Sequence, residues 1–194
     1  RIIGYIIAYK NGNDVIISID DDNFVIDRNY LETISCLGEK KVVETIKSSS
    51  GWYNICEELE TDYKRMFYPR GFPYSQKWKN EQLTLKKANG KLVVQAGMWL
   101  LDPDIDAVCR MLYKPECKFK KNIFPFFSNR ISMFNSQNTL LDRKVIKDYF
   151  LFPHIGRMDD IWAAFYVTAK KYKVVYNEPT VYQERNVHNL IKDF

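Results

Sequence analysis

The sequence predicts an α/β fold built around a central, mostly parallel sheet. Three observations carry that expectation. Residues 1–10 have helical spacing and run through Asn11-Gly12-Asn13 into Val15-Ile16-Ile17-Ser18-Ile19, which is apolar on both faces of a strand. A second helical pattern over residues 159–171 runs directly into a strand candidate at 173–176. The chain has 194 residues and is 46% hydrophobic, enough to bury a core on such a sheet.

The elements follow in order. Ile3, Ile6 and Ile7 keep one apolar face over residues 1–10, and Asn11-Gly12-Asn13 stops that helix because Gly and Asn readily take the cap conformation. Helix, tight turn and buried strand make half of a doubly wound unit, and the chain starts inside that unit with no strand ahead of the helix. Residues 27–37 predict a helix capped by Asp27, and 42–46 a short strand. From 48 to 87 the pattern is aperiodic and aromatic, with Pro69, Gly71 and Pro73 clustered, and its many rings predict a packed functional segment. Strands are expected at 92–96 and 131–134, and a helix at 142–149. The 159–171 helix should bury Ile161, Trp162, Phe165, Tyr166 and Ala169, ahead of a last strand at 173–176. There is no repeat or heptad, and one domain over 1–194 is the expectation.

Composition narrows the function classes. With 27% charged and 15% aromatic residues the chain is not a disordered polar tail. No apolar run approaches the ~18 residues of a membrane span. The 29 Lys+Arg against 24 Asp+Glu leave +5, a mild excess carried by doublets such as Lys40-Lys41 and Lys170-Lys171 that read as solvated faces. No nucleic-acid recognition motif accompanies them, so no nucleic-acid partner is expected. Cys36, Cys56, Cys109 and Cys117 lack C-x-x-C or zinc spacing and are expected as reduced, partly buried thiols. The absence of an N-x-[S/T] triplet agrees with a cytoplasmic setting, or one peripheral to a membrane compartment.

Three constellations carry chemistry. Asp20-Asp21-Asp22 follows the first strand at its carboxyl end, where open α/β sheets bind ligands. Side chains two apart on an extended chain share a face, so Asp20 and Asp22 can reach one pocket and hold magnesium or manganese; the alternative is a solvated acidic turn. In Phe67-Tyr68-Pro69-Arg70-Gly71-Phe72-Pro73-Tyr74-Ser75 a rigid loop presents Arg70, either to clamp a phosphate or carboxylate or to stack on the neighbouring rings. Gly156-Arg157-Met158-Asp159-Asp160 puts two acids at a helix start, where they complement the dipole or supply a general base. His188 lies in a polar tail and His154 in a loop.

Taken together, the segments resemble the reversibly glycosylated polypeptides, or UDP-arabinopyranose mutases, of the GT-A glycosyltransferase class. Arg1-x-x-Gly4-Tyr5 ahead of Ile19-Asp20-Asp21-Asp22 is similar to that family's arginine–glycine helix and aspartate triplet, and Arg70-Gly71-Phe72-Pro73-Tyr74-Ser75 to its arginine loop. Gly97-Met98-Trp99-Leu100 with Pro103-Asp104-Ile105-Asp106-Ala107 is similar to a third block, and Asn138 with Asp142-Arg143 and Ile146 to a fourth. Ile155-Gly156-Arg157-Met158-Asp159-Asp160-Ile161-Trp162 resembles a fifth nearly word for word.

The resemblance implies a GT-A-like, Rossmann-like nucleotide-sugar-binding fold whose first strand and helix lie outside the given chain. It implies a metal-dependent transferase of a glycosyl group from a UDP-sugar, with Mn2+ or Mg2+ as cofactor and a glycosyl acceptor as second substrate. The metal would sit on Asp20 and Asp22; the family's histidine falls near Gln183, and the third ligand is assigned to His188, offset from it. Asp159, Asp160 and Arg70 would be catalytic, and Arg1, Asp20, Asp21, Asn138, Gly97 and Trp99 would bind the donor. Two alternatives stand beside this: a pyranose/furanose mutase with self-glycosylation at Arg70, and a non-catalytic nucleotide-sugar-binding subunit. Homo-oligomerisation is open.

Overall fold

A computed structural model describes residues 1–33, 37, 40–62, 65–79, 82–119, 125–128 and 131–185. It is an α/β structure whose elements run α1 (Ile2–Lys10), β1 (Val15–Ile19), β2 (Asn23–Val25), α2 (Tyr30–Thr33), β3 (Lys40–Ser48), β4 (Leu59–Thr61), β5 (Leu83–Lys91), β6 (Val94–Leu101), α3 (Ala107–Leu112), β7 (Cys117–Phe119), β8 (Phe126–Ser128), β9 (Asn138–Asp142), α4 (Arg143–Ile146), α5 (Asp159–Ala169) and β10 (Val174–Gln183). The main path of the sheet is β1-β9-β6-β10-β8-β3-β5, with β2 added on β10, β7 on β6 and β4 on β7.

The sheet is mixed and mostly antiparallel, not mostly parallel as expected. Of the described strands, β10 with β6 and β3 with β8 pair parallel and the rest antiparallel. Parallel pairing needs a long crossover, usually a helix. The 11-residue α5 supplies one, leading into β10. β1, expected at the centre of a parallel sheet, lies instead at the end of the path, antiparallel to β9. Ile16 and Ser18 are buried while Val15, Ile17 and Ile19 are exposed. An all-apolar strand therefore does not mean a strand covered on both faces.

Other expectations shift in register. On α1 the residue that anchors is Tyr5, buried and donating to Ser18 Oγ at 2.8 Å, while Ile3, Ile6 and Ile7 are exposed. The helix expected at 27–37 is described over Tyr30–Thr33, behind an Asp27 side chain that accepts from the Asn29 amide; residues 34–36 lie outside the described residues. The 48–87 stretch holds two short 3-10 turns, β4 and the start of β5, with Tyr53, Phe67, Tyr68 and Phe72 buried. Residues 131–134 make a single bridge, Trp52 with Ile131, and not a strand. Met133 and Phe134 are apolar because this loop packs into the core. On α5 the buried side chains are Asp160, Ile161, Ala163, Ala164 and Val167. The two alanines bring the helix close, and Trp162, 56% exposed, and Tyr166 point outward.

Cys56, Cys109 and Cys117 are buried thiols outside any disulfide; Cys36 lies outside the described residues. Among the described residues no helix is long and apolar enough to cross a membrane.

Two contacts hold the arginine loop where it matters for the site. Pro69 bridges Ile105, and the Asp106 amide donates to Tyr68 O at 2.9 Å, tying the loop to the turn after β6. The loop then turns at Gly71, whose φ is +82°, with Phe72 N donating to Pro69 O. A Cβ at Gly71 would collide with Ile161 Cγ2 on α5. Gly71→Ala therefore combines a left-handed backbone with a clash, and should lower unfolding free energy by about 2–3 kcal/mol in chemical denaturation. A loss under about 0.5 kcal/mol would mean that α5 is free to move away.

Candidate functional site

β1 is antiparallel to β9, β9 to β6, and β6 is parallel to β10, so β1, β6 and β10 all point the same way. Their carboxyl ends carry Asp20, the Asp102–Asp106 turn, and Gln183 with Arg185. The start of α5 closes over them with Asp159 and Asp160. Between these ends lies a polar cleft of about 210 Å³ lined by Arg1, Asp20, Arg70, Asp104, Arg157, Asp159, Asp160, Gln183 and Arg185. Four arginines face four aspartates, so the formal charges of its walls cancel.

Arg70 sits at the back. Its Nε donates to Asp104 Oδ2 at 2.9 Å, its Nη2 to Asp160 Oδ2 at 2.9 Å, and its Nη1 to the Arg157 carbonyl. Asp104 also takes Asn135 Nδ2 at 2.8 Å and Arg185 Nη2 at 3.1 Å. Burial alone would raise the Asp104 carboxyl, but the Arg70 and Arg185 charges and the Arg70 and Asn135 hydrogen bonds override it and bring its pKa down to about 2. Asp160 is 2% exposed; beyond Arg70 it accepts from Ser136 N and Oγ and from Ile161 N. With every guanidinium nitrogen engaged, Arg70 is neither a ring-stacked cation nor a free anion clamp. The same engagement weighs against Arg70 as an acceptor of sugar.

Asp20 is at the front. Its backbone sits in a turn, closed by Asn23 N donating to Asp20 O at 3.1 Å. Its Oδ1 pairs with Arg1 Nη2, and Arg1 Nη1 donates to Ser136 Oγ at 2.7 Å. Burial raises the Asp20 carboxyl to a pKa of about 6; Arg1 opposes this, and the nearby Asp104, Asp22 and Asp160 add to it. Asp22 turns aside: its oxygens accept from Asn23 Nδ2 at 3.0 Å and from Gln183 Nε2 at 2.9 Å. Asp21 is exposed. The extended-strand reasoning that placed Asp20 and Asp22 on one face fails because the chain turns here, though the two carboxylates remain electrostatic neighbours.

The cleft thus gathers Arg1, Asp20, Arg70, Asp159 and Asp160 from distant parts of the chain. Asn138, Gly97 and Trp99 are not part of its lining. Asn138 is buried between Tyr30 Oη, which donates to its Oδ1, and Met98 O and Thr180 Oγ1, which accept from its Nδ2. Gly97 is glycine because a Cβ would strike that Asn138 amide. Trp99 is buried. His188 lies outside the described residues. Asp104, Arg157, Arg185 and Ser136 were not singled out from sequence. For Asp104 a signal existed: Asp102-Pro103-Asp104 closely follows an apolar strand, as Asp20 does.

A divalent ion would find Asp20 as its carboxylate in this lining. Asp20 carries a carboxylate held up by burial and by neighbouring acids, the condition a cation relieves. Among the described residues no group of three or more His, Cys, Asp or Glu is placed to cage a metal. One or two carboxylates with water and phosphate oxygens is, however, the usual magnesium or manganese arrangement.

The two perturbed carboxyls act on stability in opposite pH windows. Asp20, with its folded pKa raised to about 6 from 3.8, takes up its proton first in the folded state, so stability should rise as pH falls from about 6 to 4. Asp104, lowered to about 2, stabilises fully above about 4, and that contribution of roughly 2 kcal/mol should be lost between about 4 and 2. Urea denaturation across pH checks both: Asp20→Asn should remove the rise and Asp104→Asn the acid loss. Arg70→Met, which leaves the buried Asp160 without a cation and Asp104 with Arg185 alone, should cost about 3 kcal/mol at pH 7.

No protein-family model matches this chain and no curated protein matches it, so the functional reading rests on the chemistry of the cleft and the resemblance of its segments.

Proposed function

We propose that the protein is a GT-A-like, metal-dependent glycosyltransferase that takes its sugar from a nucleotide donor, most simply a UDP-sugar. The observation that carries this reading is convergence. Arg1, Asp20, Arg70, Asp104, Asp159 and Asp160 come from segments that each resemble a block of one transferase family, and all six line one cleft at the carboxyl ends of three co-directional strands.

The residues divide the work. Asp20 would hold Mn2+ or Mg2+, with Asp22 acting only as a charged neighbour, and the bound ion would supply positive charge to the leaving diphosphate. Arg157, exposed at the cleft wall, would take phosphate oxygens, while Arg185 stays on Asp104 and Asp102. Asp159 and Asp160 differ in role. Asp160 is buried and committed to Arg70, Ser136 and the Ile161 amide, so it positions. Asp159 is half-buried at the cleft wall, with Oδ1 accepting from the Asp160 amide at 2.8 Å, and it is the carboxylate available to take a proton from an acceptor hydroxyl.

A thermal-shift panel of nucleotides and UDP-sugars with and without Mn2+ tests the binding half. A true donor should raise the melting point by roughly 5–10 °C at a hundredfold excess over Kd, with manganese required. A flat response to every UDP compound would sink the proposal. For the chemical half, Asp159→Asn should keep the shift and lose about a hundredfold or more in transfer or donor hydrolysis. Near-normal turnover would remove Asp159 from the mechanism.

A further inference from the structure

The cleft arginines are not held alike. Arg70 is tied to two aspartates and a carbonyl, and Arg185 to Asp104 at 3.1 Å and Asp102 at 3.6 Å. Arg1 is paired with one acid, Asp20, and its side chain is 41% exposed against 22% for Arg70. Its second nitrogen donates to the neutral Ser136 Oγ at 2.7 Å, and Ser136 is itself fixed to the buried Asp160.

We propose that Arg1 is a resident cation on Asp20 that a divalent ion displaces, and that the released guanidinium, kept close by Ser136, becomes a donor to the diphosphate of the incoming ligand. This rests on the metal-dependent nucleotide-sugar reading above. Two steps of chemistry support it. Arg1 Nη2 occupies Asp20 Oδ1, so an ion using that oxygen must exclude it. The exchange also solves a charge problem. Four arginines against four aspartates leave the cleft lining neutral, with no surplus to attract the doubly negative diphosphate of a nucleotide sugar or the still more negative UDP. A divalent ion on Asp20 brings the walls to a surplus of two, and Arg1 is then free to face the ligand. Arg1 and the ion are rivals for Asp20 and allies toward the diphosphate.

That double relation gives opposite signs in one variant, which a merely structural role of Arg1 would not produce. Mn2+ is titrated into the full chain and followed by the electron paramagnetic resonance of free ion; UDP is then titrated calorimetrically at saturating Mn2+. Arg1→Gln should bind Mn2+ about fivefold more tightly, the scale of one half-exposed ion pair released, and UDP about tenfold more weakly. Arg1→Lys keeps the charge, and should hold Mn2+ affinity near that of the unaltered protein while recovering part of the UDP affinity. Equal or weaker Mn2+ binding by Arg1→Gln overturns the exchange while leaving the metal reading intact. Mn2+ binding by neither protein overturns both. Tighter Mn2+ binding with UDP affinity unchanged overturns the second role of Arg1.

Discussion

The site depends on one partly buried guanidinium. Arg70 joins three pieces of chain through charge: its own loop, the turn after β6 through Asp104, and the start of α5 through Asp160 and the Arg157 carbonyl. A charge taken out of water is costly unless its partners are close and its donors are used, and here both conditions hold. The planar fork is essential, because three separate nitrogens reach Asp104, the Arg157 carbonyl and Asp160, whereas an ammonium has all its donors on one nitrogen. Gly71 sets the distance. Lacking a Cβ, it lets the loop approach Ile161 on α5 closely enough for the arginine one residue earlier to reach Asp160.

From that anchor a polar relay runs forward. Asp160 accepts from Ser136, Ser136 from Arg1, and Arg1 donates to Asp20. A parallel branch passes from Asn23 and Gln137 through Gln183 to Asp22. The back of the cleft is saturated with internal partners, so it is rigid and already neutralised. The front, where Arg1, Asp20 and Asp159 are partly exposed, retains groups that can change partners. Rigidity behind and exchangeable charge in front is the arrangement that pre-organises a polar site without locking it.

Some of this was legible in the residues. Acid runs directly after an apolar strand, and acids at a helix start, mark Asp20, Asp159 and Asp160 because charge in such places needs a structural or chemical reason. The proline–glycine frame marks Arg70. What could not be read was direction and partnership. Val15–Ile19 is apolar throughout, yet it lies at the end of the sheet path, since hydrophobicity reports what a strand could bury and not which neighbours it finds. Trp162 and Tyr166 look like the core face of α5 by size, but the close approach of that helix selects Ala163 and Ala164 instead. Arg70 could be read as a clamp or a stacked cation only because Asp104, 34 residues on, and Asp160, 90 residues on, were not known to be beside it.

The adjacent pair at the start of α5 shows how one local geometry separates two roles. Successive residues on a helix point about 100° apart, so two neighbouring carboxylates cannot face the same way. Asp160 takes the inward direction and is consumed by Arg70 and Ser136. Asp159 takes the lateral one, with one oxygen used to cap the Asp160 amide and its side chain at the cleft wall. The buried acid therefore places the exposed one: Arg70 fixes Asp160, Asp160 fixes the first turn of the helix, and that turn fixes where the Asp159 carboxylate meets the cleft.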